Sequence, residues 1–139
     1  IAEFSKDDVE KFGKIGSHFG IAFQIIDDLL DYGVGASNLD KAKFTDISNG
    51  LTTLPLILYL QHEPENNKQA MQELLTRTAE AGVPEEICRR LQKSSAFDKT
   101  KEMAMQHIMD ASEISDSLPK NEHIETLKAF LLSMAERGN

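Results

Sequence analysis

The stretch that decides the fold runs from residue 6 to residue 32 and reads KDDVEKFGKIGSHFGIAFQIIDDLLDY. Its large apolar residues recur at intervals of three and four, which is the period of an α-helix. Ser5 and Asp8 have the spacing of a capping box, which marks a helix start. The glycines of the segment 33–35 mark its end. The pattern therefore predicts one long helix over residues 6–32.

The second half of this helix gathers acidic side chains on one face. Gln24, Asp27, Asp28 and Asp31 fall within an arc of roughly 100° when residues are placed along a helix. Such like charges repel by a few tenths of a kcal/mol per pair, and the helix dipole disfavours negative charge at a C-terminus. A divalent cation would remove both penalties, and ligands that offer only oxygen favour Mg²⁺ or Mn²⁺.

The alternative interpretation is that these carboxylates form a solvated helix face. The flanking residues 19–30 are so apolar that the helix is expected to be buried, and buried carboxylates need partners. This favours a metal site. Gly13, Gly16 and Gly20 lie on the same side, one to two turns earlier, although glycine costs a helix interior roughly 0.5–1 kcal/mol. Either another helix packs closely there, or the glycines border a cavity above the acidic residues.

The rest of the chain also has helical periodicity, and no strand-like alternation extends beyond a few residues. We therefore predict an all-α class and one domain over residues 1–139. Thr53 is expected to cap a short apolar helix at the centre of the core, with Pro55 in its first turn. Residues 33–50 are predicted to form a polar loop. The remaining predicted helices are 54–61, 66–81, 84–93, 97–117 and 121–137.

Composition excludes several classes of function. The formal net charge is −8, and no basic cluster extends beyond Arg89-Arg90, so nucleic-acid binding is not expected. No apolar run approaches the roughly 20 residues of a transmembrane segment, and no leader is visible, so a cytoplasmic location is expected. The single Cys88 excludes an internal disulfide and is expected to be half-buried. We assign no role to four histidines, which show no ligand spacing: His18, His62, His107 and His123.

The segment from Phe19 to Tyr32 resembles the second aspartate-rich motif of the trans-isoprenyl diphosphate synthases. The similarity continues through Lys41, Asp46 and Gly50 to Thr53-Leu54-Pro55, which fall in step with the family pattern. Residues in and between the last two predicted helices are similar as well, namely Ala104, Ala111, Leu118-Pro119, Leu127 and Arg137. The resemblance implies that the chain is the C-terminal part of an isoprenoid-synthase-type helical bundle.

Two positions depart from the family pattern. Asp40 stands where the family usually has glycine, and Leu51 stands where it usually has a second lysine that contacts diphosphate. The family's first aspartate-rich motif, and the basic residues that hold isopentenyl diphosphate, have no counterpart here. We therefore expect the chain to be inactive alone and to need a missing N-terminal half or a partner subunit, within a homodimer or heterodimer.

The resemblance implies a Mg²⁺-dependent prenyltransferase that condenses an allylic prenyl diphosphate with isopentenyl diphosphate. Asp27 and Asp31 would be direct Mg²⁺ ligands, and Asp28 would act on the metal through water. Lys41 would contact the allylic diphosphate, with Gln24 as a further polar contact near the diphosphate and the metal waters. Mn²⁺ is the possible substitute for Mg²⁺.

Two further residues have competing interpretations. Asp46 would orient Lys41 or hold the loop, or it would simply cap a helical turn over residues 47–50. Phe23 would line the site for the prenyl chain, although core packing is the favoured interpretation of a helical aromatic residue. The alternative function is a non-catalytic helical subunit that regulates or stabilises a full-length synthase, which Leu51 and the missing first aspartate-rich motif both suggest. A terpene cyclase or head-to-head synthase fits the motifs less well.

Overall fold

The structure is a computed structural model that describes residues 5–34 and 44–137. Within these ranges the chain is helical and contains no strand, which confirms the all-α prediction. Seven helices occur in the described ranges: α1 Lys6–Asp31, α2 Thr45–Ser48, α3 Leu54–His62, α4 Glu65–Leu75, α5 Val83–Gln92, α6 Ala96–Asp116 and α7 Glu122–Arg137.

Two of these helices differ from the sequence prediction. The short helix α2 lies inside the segment predicted to be a loop. Helix α4 ends at Leu75, although the prediction extended it to residue 81, and turns follow it. The Thr76 hydroxyl donates a 2.7 Å hydrogen bond back to the Glu73 carbonyl, and such local bonds compete with helix continuation.

Helix α1 begins at the predicted capping box. The Ser5 hydroxyl oxygen accepts from the Asp8 N–H, and the Asp8 carboxylate accepts from the Ser5 N–H, each at 3.1 Å. Helix α1 then packs most extensively against α6, burying Ile15 and Ile26 beside Ile108. Two of the four unsatisfied N–H groups at this terminus are thus paired locally, and burial of the apolar stripe holds the helix body in place.

The end of α1 is closed by a Schellman motif. The Val34 N–H donates to the Leu29 carbonyl at 3.1 Å, and the Gly33 N–H donates to the Leu30 carbonyl at 2.9 Å. Gly33 has φ of 76°, a left-handed conformation that favours glycine. Because Leu29 and Tyr32 are also buried in the core, the last turn of α1 has a defined position. That turn carries the acidic residues.

The described residues form two apolar core clusters. One lies between the end of α1 and helices α3 and α5, around Leu56, Ile87 and Leu91, which are fully buried. The other lies between α1, α6 and α7. Helix α3 is central, as predicted, except that Ile57 is exposed. Cys88 is fully buried on α5, not half-buried, and its thiol lies 3.7 Å from the Tyr32 carbonyl.

Candidate functional site

The acidic residues lie where the end of α1 meets the starts of α2 and α3. Asp31 accepts the Thr45 N–H through Oδ1 and the Asp46 N–H through Oδ2, both at 3.1 Å. The residue before α2, Phe44, provides no side-chain cap, and its own N–H donates to the Asp31 carbonyl at 3.0 Å. The Asp31 carboxylate therefore caps α2, which explains why a helical turn forms inside the predicted loop.

Asp28 performs the same task for α3. Its Oδ2 accepts the Leu54 N–H at 3.2 Å, and its Oδ1 accepts from the Gln24 amide at 3.1 Å. The prediction that Thr53 caps this helix is wrong for its side chain, although Thr53 does occupy the N-cap position. Its hydroxyl lies 2.6 Å from the hydroxyl of Tyr32 instead. Burial raises the pKa of Tyr32 above its ordinary value, so the pair is neutral.

Asp27 and Asp46 complete the acidic group. Asp27 is exposed, and its carboxylate has no hydrogen bond within residues 5–34 and 44–137. Burial, and then the charges of Asp31, Asp28 and Asp27, raise the pKa of Asp46 above its ordinary value. The charges of these four carboxylates therefore interact. Asp46 sits in the first turn of α2, but Asp31, not Asp46, supplies the cap.

Backbone N–H groups offset part of the cost of gathering these charges. The sequence alone suggested that only a cation would offset this repulsion, whereas Asp28 and Asp31 already accept three backbone hydrogen bonds. Each carboxylate oxygen has a second lone pair, so these bonds leave room for an ion. Mg²⁺ typically takes one or two carboxylates and completes its shell with waters and phosphate oxygens. The oxygen-only donor set, with Asp27 open, fits that requirement.

The face of α1 that leads to the acidic residues is open. Among the described residues, no atom beyond the neighbouring backbone of α1 lies within 4 Å of a Cβ built on Gly13, Gly16 or Gly20. Neither proposed reason for these glycines, a close helix or a cavity wall, is met within the described part of the chain. Phe23 is 50% exposed, so the favoured core interpretation of this residue is wrong there. Its ring lies 6.3 Å from that of Phe19.

One predicted site residue is not described by the structure, and one contact was not predicted. Lys41 lies outside the described residues, so its predicted contact with diphosphate stays a prediction. Sequence reasoning also missed a contact between His18 and His107, whose Nδ1 atoms are 2.9 Å apart although the residues are 89 positions apart. No local spacing signals such a pair, because it depends on how α1 packs on α6.

Fold and site define an all-helical protein with a carboxylate cluster at one helix end and an open helix face beside it. The sequence model of the Polyprenyl synthetase family matches residues 1–91. The chain belongs to this family, which confirms the resemblance.

Individual relatives agree with that assignment. The chain is 32% identical over 125 residues to the mitochondrial solanesyl-diphosphate synthase 1 of Oryza sativa subsp. japonica, covering 88% of this chain and 28% of that protein. It is 32% identical over 121 residues to the all-trans-nonaprenyl-diphosphate synthase (geranyl-diphosphate specific) of Rhodobacter capsulatus, covering 85% and 36%. The chain therefore spans only about a third of these curated relatives.

A crystal structure of the heptaprenyl diphosphate synthase from Staphylococcus aureus has a similar fold. It superimposes with a TM-score of 0.83 at 29% sequence identity, covering 97% of this chain and 42% of that one. Among the helices described here, none combines the length and the apolar character that a bilayer crossing requires.

Proposed function

We propose that this chain supplies the second aspartate-rich segment of a prenyltransferase that joins an allylic prenyl diphosphate to isopentenyl diphosphate with Mg²⁺. The observation that supports it best is the carboxylate cluster itself. The charges of four acidic side chains interact there, and two of these carboxylates accept backbone hydrogen bonds. The carboxylate of Asp27 is exposed and lies beside an exposed helix face. The family and the names of the relatives supply the reaction class.

Asp27 and Asp31 are the proposed Mg²⁺ ligands, with Mn²⁺ as a possible replacement. When bound, the cation would neutralise the negative charge that grows on the leaving diphosphate as its bond to the prenyl carbon breaks. Asp28 contributes by position: its bonds to Leu54 and Gln24 lock the last turns of α1 against α3. Rigid placement matters because a small displacement of a reacting group is costly in rate.

Gln24, Phe23 and Lys41 are the proposed substrate contacts. The Gln24 amide donates to Asp28 through one N–H and keeps its carbonyl and second N–H for other partners. Phe23 presents an exposed ring one residue from it, on the side of α1 that would meet the prenyl chain. Lys41 would add a compact positive charge for the diphosphate, and Asp46 would orient it or hold the loop.

We further propose that the chain is inactive alone and functions with an N-terminal half or a partner subunit, in a homodimer or heterodimer. The support is the open face: a stripe of three glycines and the exposed Val9 and Ile21 lie on α1 with no covering element in the described ranges. The cytoplasmic location stays a prediction, and the names of two relatives specify mitochondria and chloroplasts.

One observation favours the alternative of a non-catalytic subunit. Leu51 follows α2 by three residues and is 55% exposed, so the position usually held by a lysine offers apolar surface instead of charge. A subunit that stabilises a complete synthase would need this surface for contact and would not need the metal ligands.

Turnover by the assembled enzyme tests the two functions. The chain would be mixed with a complementary N-terminal half that carries the first aspartate-rich motif, and prenyl transfer would be measured with Mg²⁺. The double variant Asp27→Ala, Asp31→Ala should lose turnover, whereas the control Asp98→Asn, an exposed acid on α6, should keep it. Unchanged turnover in the double variant would reject the catalytic proposal and favour the non-catalytic subunit.

A further inference from the structure

A second cluster of metal-type ligands lies on the opposite side of α1 from the acidic residues. The Nδ1 atoms of His18 and His107 are 2.9 Å apart, and His18 Nδ1 lies 3.7 Å from Asp110 Oδ2. The ligand atoms of all three residues lie within 4.8 Å of one another. All three side chains are half-buried, so they are ordered by packing yet reachable from solvent.

We propose that His18, His107 and Asp110 form a transition-metal site, best suited to Zn²⁺, that links α1 to α6. Two imidazoles and one carboxylate are a common ligand set for Zn²⁺, which takes four ligands in a tetrahedron. With metal–nitrogen bonds of about 2.0–2.1 Å, tetrahedral geometry places ligand atoms about 3.3 Å apart. The two distances above lie on either side of this value, so a small rotamer adjustment would suffice.

The packing of α1 on α6 supplies this geometry, and only the pair on α6 has a local sequence spacing. His107 and Asp110 are three residues apart on α6, which places both on one face. His18 comes from α1, which packs along α6 through Ile15, Ile108 and their neighbours. A water would complete the shell on the solvent side. The ion would therefore fasten the helix that carries the acidic motif to its main packing partner.

This site is separate from the acidic cluster. His18 and Asp27 are nine residues apart, which corresponds to about 13 Å along the helix and a rotation of about 180°. The ligand chemistry differs as well. Nitrogen donors suit Zn²⁺, Co²⁺ or Ni²⁺, whereas Mg²⁺ prefers the oxygen donors of the acidic cluster. The two proposals can therefore fail independently of each other.

The alternative is that the three residues form only a hydrogen-bonded group. Two neutral imidazoles can share one proton between their Nδ1 atoms, and Asp110 would then stabilise the nearer ring. Metal titration of the full chain distinguishes a metal site from a hydrogen-bonded group. The chain, prepared without a histidine tag and freed of metal, would be titrated with Zn²⁺ by calorimetry and with Co²⁺ by visible absorption, in excess Mg²⁺.

We expect one Zn²⁺ per chain and Co²⁺ bands typical of tetrahedral coordination. Since loss of even an outer partner of a metal ligand costs about 10–100-fold in affinity, His18→Gln and Asp110→Asn should each weaken Zn²⁺ binding at least tenfold. His62→Gln, an exposed histidine at the end of α3, should bind like the wild type. Circular dichroism would confirm that each variant is helical.

Three results would overturn the proposal. The first is that the wild-type chain shows neither saturable Zn²⁺ binding nor a Co²⁺ spectrum, and this measurement needs no variant. His18→Gln and His62→Gln would bind Zn²⁺ equally well. Or the double variant Asp27→Ala, Asp31→Ala would lose Zn²⁺, which would place the ion in the acidic cluster. Retention of Zn²⁺ by that double variant supports the separate site whether or not the proposed function holds.

Discussion

Replacing Asp31 with alanine separates the structural role of this carboxylate from its proposed role in catalysis. Its two oxygens accept the N–H groups of Thr45 and Asp46, so the truncation removes the only side-chain cap of α2 among the described residues. Loss of such a cap costs about 0.5–2 kcal/mol of stability. Relief of repulsion from the nearby carboxylates opposes this by a few tenths of a kcal/mol per pair.

Asp27→Ala is the matched control, because it removes a carboxylate one turn earlier on the same helix. Asp27 is exposed and caps no described helix. Its removal therefore relieves a similar repulsion between carboxylates without removing a helix cap. The difference between the two variants therefore isolates the cap. We expect Asp31→Ala to be about 1 kcal/mol less stable than Asp27→Ala. Asp27→Ala should be as stable as the wild type, or slightly more stable.

Urea unfolding in a buffer that contains a metal chelator measures this difference. With a slope of about 1–3 kcal/mol per molar urea, the midpoint of Asp31→Ala should lie about 0.3–1 M below that of Asp27→Ala. Amide exchange should locate the change, with faster exchange in Thr45–Ser48. Equal midpoints for the two variants, or a lower midpoint for Asp27→Ala, would refute the assignment of Asp31 as the α2 cap.

The remaining predictions concern two glycines and one carboxyl group. Gly33→Ala should destabilise the chain by about 1–2 kcal/mol because φ is 76° there. Gly16→Ala should stabilise it by about 0.5–1 kcal/mol, since no described atom beyond the neighbouring backbone of α1 lies within 4 Å of the added Cβ. A higher urea midpoint for Gly33→Ala would contradict the first prediction, and a lower midpoint for Gly16→Ala would contradict the second. The Asp46 carboxyl should titrate by NMR above its ordinary pKa of 3.8, and Asp27→Asn should lower that pKa. Because the folded-state pKa is raised, the contribution of Asp46 is fully present below pH 3.8 and is lost as the pH rises through the folded value. Asp46→Asn should therefore gain stability relative to the wild type as the pH rises from 3.

Local patterns predicted much of what the structure contains. The three-and-four spacing of apolar residues and the Ser5–Asp8 capping box predicted α1 almost to the residue, because both signals operate within a few residues of one another. The prediction extended α4 to residue 81, because the hydrogen bond from Thr76 back to Glu73 that competes with the helix gives no periodic signal in the sequence. The helical turn α2 entered the prediction only as an alternative over residues 47–50 capped by Asp46, because its actual cap comes from Asp31, fourteen residues before Thr45.

The sequence by itself determined the all-α class, the acidic face of α1 and the family resemblance, because each depends on residues that are close together along the chain. Only the tertiary structure decided what the carboxylates contact. It assigned Asp28 and Asp31 to backbone N–H groups of α3 and α2, and it left Asp27 open. It also brought His18 to His107 across 89 positions. Such pairings depend on how helices pack against one another, and periodicity within a single helix carries no information about them.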